Sequence, residues 1–143
     1  MSAKSNRNKG RQAEFFAREL ISRALSIHPS EVLLRSKGAN GCDVWCSSFG
    51  KKHFPFSVEV KNCARIPFYK VTTQMNSNIE PDTYPVAFAL NEALGHFAIL
   101  RLEDFMGMVQ CLEEHGLMSD VVPLQIIRKI KDARCNFSLE DTK

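Results

Sequence analysis

No apolar run in this sequence approaches the roughly 18 residues that a bilayer-spanning helix needs, so nothing reads as a membrane-spanning segment. Residues 1–11 are polar and basic and hold no apolar stretch, which excludes a secretory signal there. The expected compartment is a cytoplasm, or a nucleus in a eukaryotic host. No CxxC pair occurs, and the cysteines number five (Cys42, Cys46, Cys63, Cys111, Cys135), an odd count that excludes a full disulfide framework. Reduced, partly buried thiols are expected, with zinc held by Cys42, Cys46 and the nearby His53 as the lesser alternative. Acidic residues are scarce in the first part of the chain. Residues 1–79 hold 13 Lys/Arg against 5 Asp/Glu, a balance of +8, whereas residues 80–143 hold 6 against 11, a balance of −5. A basic block attracts polyanions, nucleic acid being the usual case, although charge alone leaves a solvated basic surface as an equal reading.

What is present is ordinary for one globular domain: 143 residues, 44% hydrophobic and 24% charged. Residues 1–9 read as a flexible basic arm and residues 10–143 as the folded domain. Ala13, Phe16, Ala17, Leu20, Ile21 and Ala24 recur at helical spacing, which predicts a first helix over 9–26. His28-Pro29-Ser30 should end it. Strands are predicted over 32–35, 43–49, 54–61, 85–90 and 96–100, with a Gly- and Asn-containing loop over 36–41. Helices are predicted over 67–78 and 103–115, the latter with Gly116 at its C′ position. The segment 121–134 fits strand, helix or both. The order α-β-β-β-α-β-β-α describes a mixed α/β domain around one central sheet flanked by helices. Met106, Met108 and Leu112 are expected in the core.

Within Phe54-Pro55-Phe56-Ser57-Val58-Glu59-Val60-Lys61, strand alternation puts Phe54, Phe56, Val58 and Val60 on a core face and Ser57, Glu59 and Lys61 on the other. An isolated Glu-x-Lys is usually a surface pair. Asp43, at the start of the preceding strand, changes that reading. If the two strands pair as a hairpin, Asp43 arrives near the Glu59–Lys61 end. From 32 to 79 there are seven Lys/Arg, and Asp43 and Glu59 are the only acids. Two carboxylates meeting inside a basic segment repel unless a cation lies between them, and a hard divalent cation such as Mg²⁺ takes carboxylate oxygens and waters. Lys61 can then position or activate a water on the metal for attack on phosphate. Glu14 lies on the helix ridge Glu14, Ala17, Ile21, Leu25 and should lean towards the sheet, the alternative being a surface pair with Arg18.

These residues resemble the PD-(D/E)xK nuclease superfamily, and within it the small archaeal-type Holliday junction resolvases and their phage relatives. The likeness covers roughly residues 8–105. It starts at Asn8-Lys9-Gly10-Arg11-Gln12-Ala13-Glu14, passes through Arg35-Ser36-Lys37-Gly38 and Asp43-Val44, and centres on Val58-Glu59-Val60-Lys61-Asn62. Phe68-Tyr69 with Gln74-Met75 is similar to the family's next helix, and Tyr84-Pro85-Val86-Ala87-Phe88 and Phe97-Ala98-Ile99 to its last core strands. The family's Pro before the Asp is Cys42 here, and nothing after Leu102 matches.

The resemblance implies a restriction-endonuclease-like fold and a homodimer that cleaves four-way-junction or other branched DNA. It implies Mg²⁺, replaceable by Mn²⁺, on Glu14, Asp43 and Glu59, with Lys61 as the catalytic lysine. It also places Ser36 near the scissile phosphate and Gln74 in support of the site. Lys9, Arg11, Arg35, Lys37, Lys51, Lys52, Arg65 and Lys70 are the basic residues expected to meet DNA. Alternatives are another nuclease of the superfamily, nicking or restriction-type, or a DNA-binding protein without catalysis. Phe68 and Tyr69 are expected in the core, with base stacking as the alternative. Arg128, Lys129, Lys131 and Arg134 are expected on a solvated face, and His28, His53, His96 and His115 have no ligand-like spacing.

Overall fold

Strand alternation needs partners, and five strands supply them. The computed structural model describes residues 3–36 and 38–116. Lys37, Cys135 and the segment 121–134 with its basic residues lie outside the described residues. The elements run α1 (Ala3–Leu25), a short 3₁₀ turn, β1 (Val32–Leu34), β2 (Val44–Cys46), a second 3₁₀ turn at Gly50–Lys52, β3 (Phe56–Asn62), α2 (Phe68–Ser77), β4 (Tyr84–Leu90), β5 (Phe97–Ile99) and α3 (Leu102–Glu114). This is a mixed α/β architecture. The sheet order is β1-β2-β3-β4-β5, antiparallel except for the parallel β3–β4 pair, which α2 connects. A parallel pair requires such a crossover, because a tight turn cannot reverse the chain twice.

α1 begins at Ala3, earlier than predicted, so residues 3–9 are helical and not the expected flexible arm. No proline or glycine precedes Gly10 to interrupt it. The helix stops before the predicted His28-Pro29. Ser26 adopts the left-handed conformation (φ 53), its N–H reaches the Arg23 carbonyl at 3.3 Å, and the Ile27 N–H reaches the Ser22 carbonyl at 3.1 Å. This crossed pair satisfies the last carbonyls without needing glycine.

The two faces of the sheet are covered by different helices. Ala13, Phe16, Ala17 and Ile21 of α1 pack with Val32, Val44, Val58, Val60, Val86 and Leu90. On the opposite face Val71 and Met75 of α2 pack on Ala87, joined by Ile66 and Ile99. β3 is therefore central and covered on both sides. Ser57 and Glu59, predicted on the non-core face, are 2% and 3% exposed. β4 reads Tyr-Pro-Val-Ala-Phe-Ala-Leu, an almost unbroken apolar run, as a strand buried on both faces should.

The chain divides between Arg101 and Leu102 into two compact units. α3 ends as expected, with Gly116 left-handed at φ 66 and its N–H on the Glu113 carbonyl at 2.9 Å. Its side chains correct the expected core: Met106 and Leu112 are exposed, and no residue of α3 is buried. Helical periodicity identifies an apolar stripe but does not supply its cover. Among the described residues no helix is long and apolar enough to cross a membrane.

Candidate active site

β2 and β3 pair as the predicted hairpin, with Val44 opposite Val58. The residue before Val44 is therefore delivered to the Glu59–Val60 end of β3. Asp43 is fixed there at three points. Its N–H donates to the Val58 carbonyl at 3.0 Å, and its carbonyl accepts from the Arg35 N–H at 3.0 Å. Its side-chain Oδ2 accepts from the Val60 N–H at 2.8 Å. Asp43 thus joins the end of β1 to the middle of β3, and its carboxylate takes up the Val60 N–H beyond the end of β2.

Glu59 is nearly inaccessible, yet its carboxylate has two donors: Lys61 Nζ at 2.5 Å on Oε1 and Asn78 Nδ2 at 3.3 Å on Oε2. Burying an unpaired carboxylate would cost several kcal/mol, so the neighbouring ammonium is what makes this position tolerable. Glu14 projects from α1, and Arg11 Nη1 reaches its Oε2 at 2.6 Å. This replaces the expected alternative with Arg18, which pairs with Glu19.

The Asp43 carboxyl feels its surroundings strongly. Burial pushes the Asp43 carboxyl up to about 6 from an ordinary 3.8. The Val60 N–H opposes this, the Glu59 and Glu14 charges add to it, and Lys61 offsets part of it. Among the described residues no three His, Cys, Asp or Glu side chains converge closely enough to hold one ion together. Glu14 is held by Arg11, which leaves Asp43 and Glu59, close enough for the Glu59 charge to act on Asp43, as the candidate donors. That set suits Mg²⁺, which is commonly bound through one or two carboxylates with water and phosphate oxygens completing its shell. The thiols do not compete for it. Cys42, Cys46, Cys63 and Cys111 are free. Burial raises the pKa of Cys42, and raises that of Cys46 to about 11, so both stay protonated.

Of the remaining predicted residues, Gln74 lies on α2 one turn before Asn78, which touches Glu59, and its Oε1 is buried without a hydrogen-bond partner. Such an atom marks a place where a water, an ion or a ligand group belongs. Ser36 is exposed on the loop after β1; its carbonyl accepts from Ala39, and its side chain is not drawn to the acids by any hydrogen bond. Lys9, Lys52, Arg65 and Lys70 are exposed, as DNA contacts require, and Lys51 donates to the Pro81 carbonyl at 3.0 Å. Arg11 is committed to Glu14 and to the Arg35 carbonyl.

Arg35 departs from the expected phosphate contact. Its guanidinium lies 4.1 Å over the Trp45 ring, pairs with Glu80, and donates from Nε to the Cys42 carbonyl at 3.2 Å. Gly41, at φ 120, gives it room: a Cβ there would fall 2.4 Å from Arg35 Nη2. Arg35 therefore closes the loop that delivers Asp43. Glu80 in turn is anchored through its N–H to Ser57 Oγ at 2.8 Å, which also bonds Thr83 Oγ1 at 2.6 Å. Sequence reasoning missed Glu80, Asn78 and Thr83, and placed Ser57 on the Glu59 face without a role. Asn78 alone left a signal, its spacing of four from Gln74 on one helix ridge.

Phe68 and Tyr69, expected in the core, are 63% and 84% exposed. They open α2, and the helix turns Val71 and Met75 inward instead. No protein-family model, curated protein or solved structure matches this chain.

Proposed function

We propose that this chain is a Mg²⁺-dependent DNA endonuclease of the PD-(D/E)xK type, with a restriction-endonuclease-like core and a preference for branched DNA such as a four-way junction. The observation that carries the reading is the meeting of Asp43 and Glu59 at the β2–β3 hairpin with Lys61 on Glu59. A buried glutamate on a central strand, with a half-buried aspartate and lysine beside it, costs stability and calls for a chemical reason. Mg²⁺ bound there would lower the pKa of a water and offset charge on the reacting phosphate. The Val60 N–H holds the Asp43 carboxylate, and Arg35 fixes the backbone of Cys42 and Asp43. Lys61 sets its ammonium beside Glu59, where it orients the attacking water and offsets charge on the phosphate. In the hydrolysis the water oxygen bonds to phosphorus, the bond to one ester oxygen breaks, and that oxygen leaves with a proton.

The basic balance of residues 1–79 supplies the attraction for the DNA backbone. A homodimer would present two sites to the two equivalent strands of a junction. Cleavage assays with Mg²⁺ on matched duplex, single-stranded and four-way-junction DNA test the reading directly. Strand scission that requires the metal and favours the junction is expected; no scission of any of the three sinks it. A DNA-binding protein without catalysis is the competing reading. It draws on the Arg11–Glu14 and Lys61–Glu59 pairs, which give both glutamates a partner without metal.

A further inference from the structure

The first turn of α2 presents two adjacent large aromatic side chains to solvent, Phe68 at 63% and Tyr69 at 84% exposure. Leaving both outside is costly when the same helix buries Val71 and Met75 one turn on. The charges along this segment of the chain are of one sign. Arg65 and Lys70 flank the pair and are exposed, and no Asp or Glu occurs from 60 to 79. A surface that is aromatic and cationic fits a partner with flat π faces and an anionic backbone, as an unpaired stretch of nucleic acid has.

Its position and its rigidity point the same way. β3 ends at Asn62, next to Lys61, and only residues 63–67 separate it from α2. The far end of α2 touches the site through Asn78 and Glu59, so Phe68 lies about 15 Å from that contact along the helix axis, a span of a few nucleotides. The connection is held in place. The buried Asn91 side chain donates to the carbonyls of Cys63 and Ala64, both at 3.0 Å, and the Cys63 N–H donates to the Leu90 carbonyl at 3.2 Å. Ile66 packs against the Val71–Met75–Ala87 cluster. A platform already ordered loses little freedom when a base stacks on it.

We propose that Phe68 and Tyr69, flanked by Arg65 and Lys70, form a stacking platform for unpaired bases of a single-stranded DNA segment, at the end of α2 away from Asn78 and the candidate active site. This rests on the nuclease reading and refines it, because it selects substrates whose strands are splayed near the point of cleavage.

The test uses the full chain in EDTA, so that binding is read without cleavage. A single-stranded oligonucleotide carrying a fluorescent purine analogue, and a matched blunt duplex, are titrated with the wild type, with the double variant Phe68→Leu/Tyr69→Leu, and with Tyr69→Trp. Leucine keeps apolar bulk at an exposed helical position and removes the ring, and circular dichroism checks that the fold is retained. The wild type and Tyr69→Trp should quench the analogue by stacking. The double variant should lose the quench and at least about fivefold in single-strand affinity, with duplex affinity changed by less than about twofold. Undiminished quench and affinity in the double variant overturn the platform. So does a change confined to sedimentation, which would make the patch a contact between copies of this chain. The two readings fail separately. A platform that binds as described in a protein that cleaves no DNA with Mg²⁺ overturns the nuclease alone. Cleavage with unaltered binding by the double variant overturns the platform alone.

Discussion

Replacing Asp43 by Asn should stabilise the metal-free protein while abolishing cleavage, and the size of the gain follows from the site. Burial and the Glu59 and Glu14 charges push the Asp43 carboxyl up to about 6. The folded state therefore keeps a proton that the unfolded chain loses near 4. Between those values folding takes up a proton, so stability falls as pH rises from about 4 to about 6, and the full penalty persists above. The upper bound is about 3 kcal/mol, and solvent screening of this half-buried side chain reduces it to about 1–2 kcal/mol. Asparagine removes the charge, and its Oδ1 can still accept from the Val60 N–H. Urea denaturation in EDTA at about pH 7.5 should show Asp43→Asn more stable by that amount, with the gap closing towards about pH 4. Mg²⁺ should raise the stability of the wild type far more than that of the variant. A variant that is no more stable than the wild type at neutral pH, or a gap that does not change with pH, would refute the reasoning.

Glu59→Gln should lower cleavage by at least about 10–100-fold with DNA affinity retained, as read by single-turnover kinetics and fluorescence anisotropy; unchanged turnover removes Glu59 from the site. Lys61→Ala should lose activity while Mg²⁺ still binds, and calorimetry that finds the metal affinity gone with cleavage intact at saturating metal would reject the assigned role. Gly41→Ala should destabilise the protein by about 1–3 kcal/mol or more, because the left-handed φ is strained for alanine and the Arg35 guanidinium must move. Thermal or urea unfolding at wild-type stability would contradict the clamp. DNA affinity should fall with salt on a slope steeper than about −3 in log–log form, and deletion of residues 1–8 should flatten it by about one or two; salt-independent binding would shift the basic half to another kind of partner.

The strands and the β2–β3 hairpin were legible because their signals are local, whereas the parallel β3–β4 pair was not. Alternation in 54–61, the unbroken apolar run of β4 and the Gly- and Asn-containing loop before Asp43 are short-range patterns, and a hairpin brings near neighbours together. Asp43, Glu59 and Lys61 could be placed at one strand end on that basis alone. Helix boundaries were less legible. The end of α1 was predicted within one residue, but its start was placed six residues late, because the largely polar residues 3–8 carry no apolar stripe.

What covers each surface was decided only by the tertiary structure. Alternation assigns side chains to two faces of β3 but does not say that α2 will close over the second, which is why Glu59 proved buried rather than half-wet. The role of Arg35 depends on Glu80, 45 positions away, and on the missing Cβ of Gly41. A basic residue in a basic loop looks the same in sequence whether it meets phosphate or closes the loop on itself. Phe68 and Tyr69 looked like core for a related reason: hydrophobicity gives the cost of exposing a ring, and only the packing of Val71 and Met75 shows that the helix turned its other side inward.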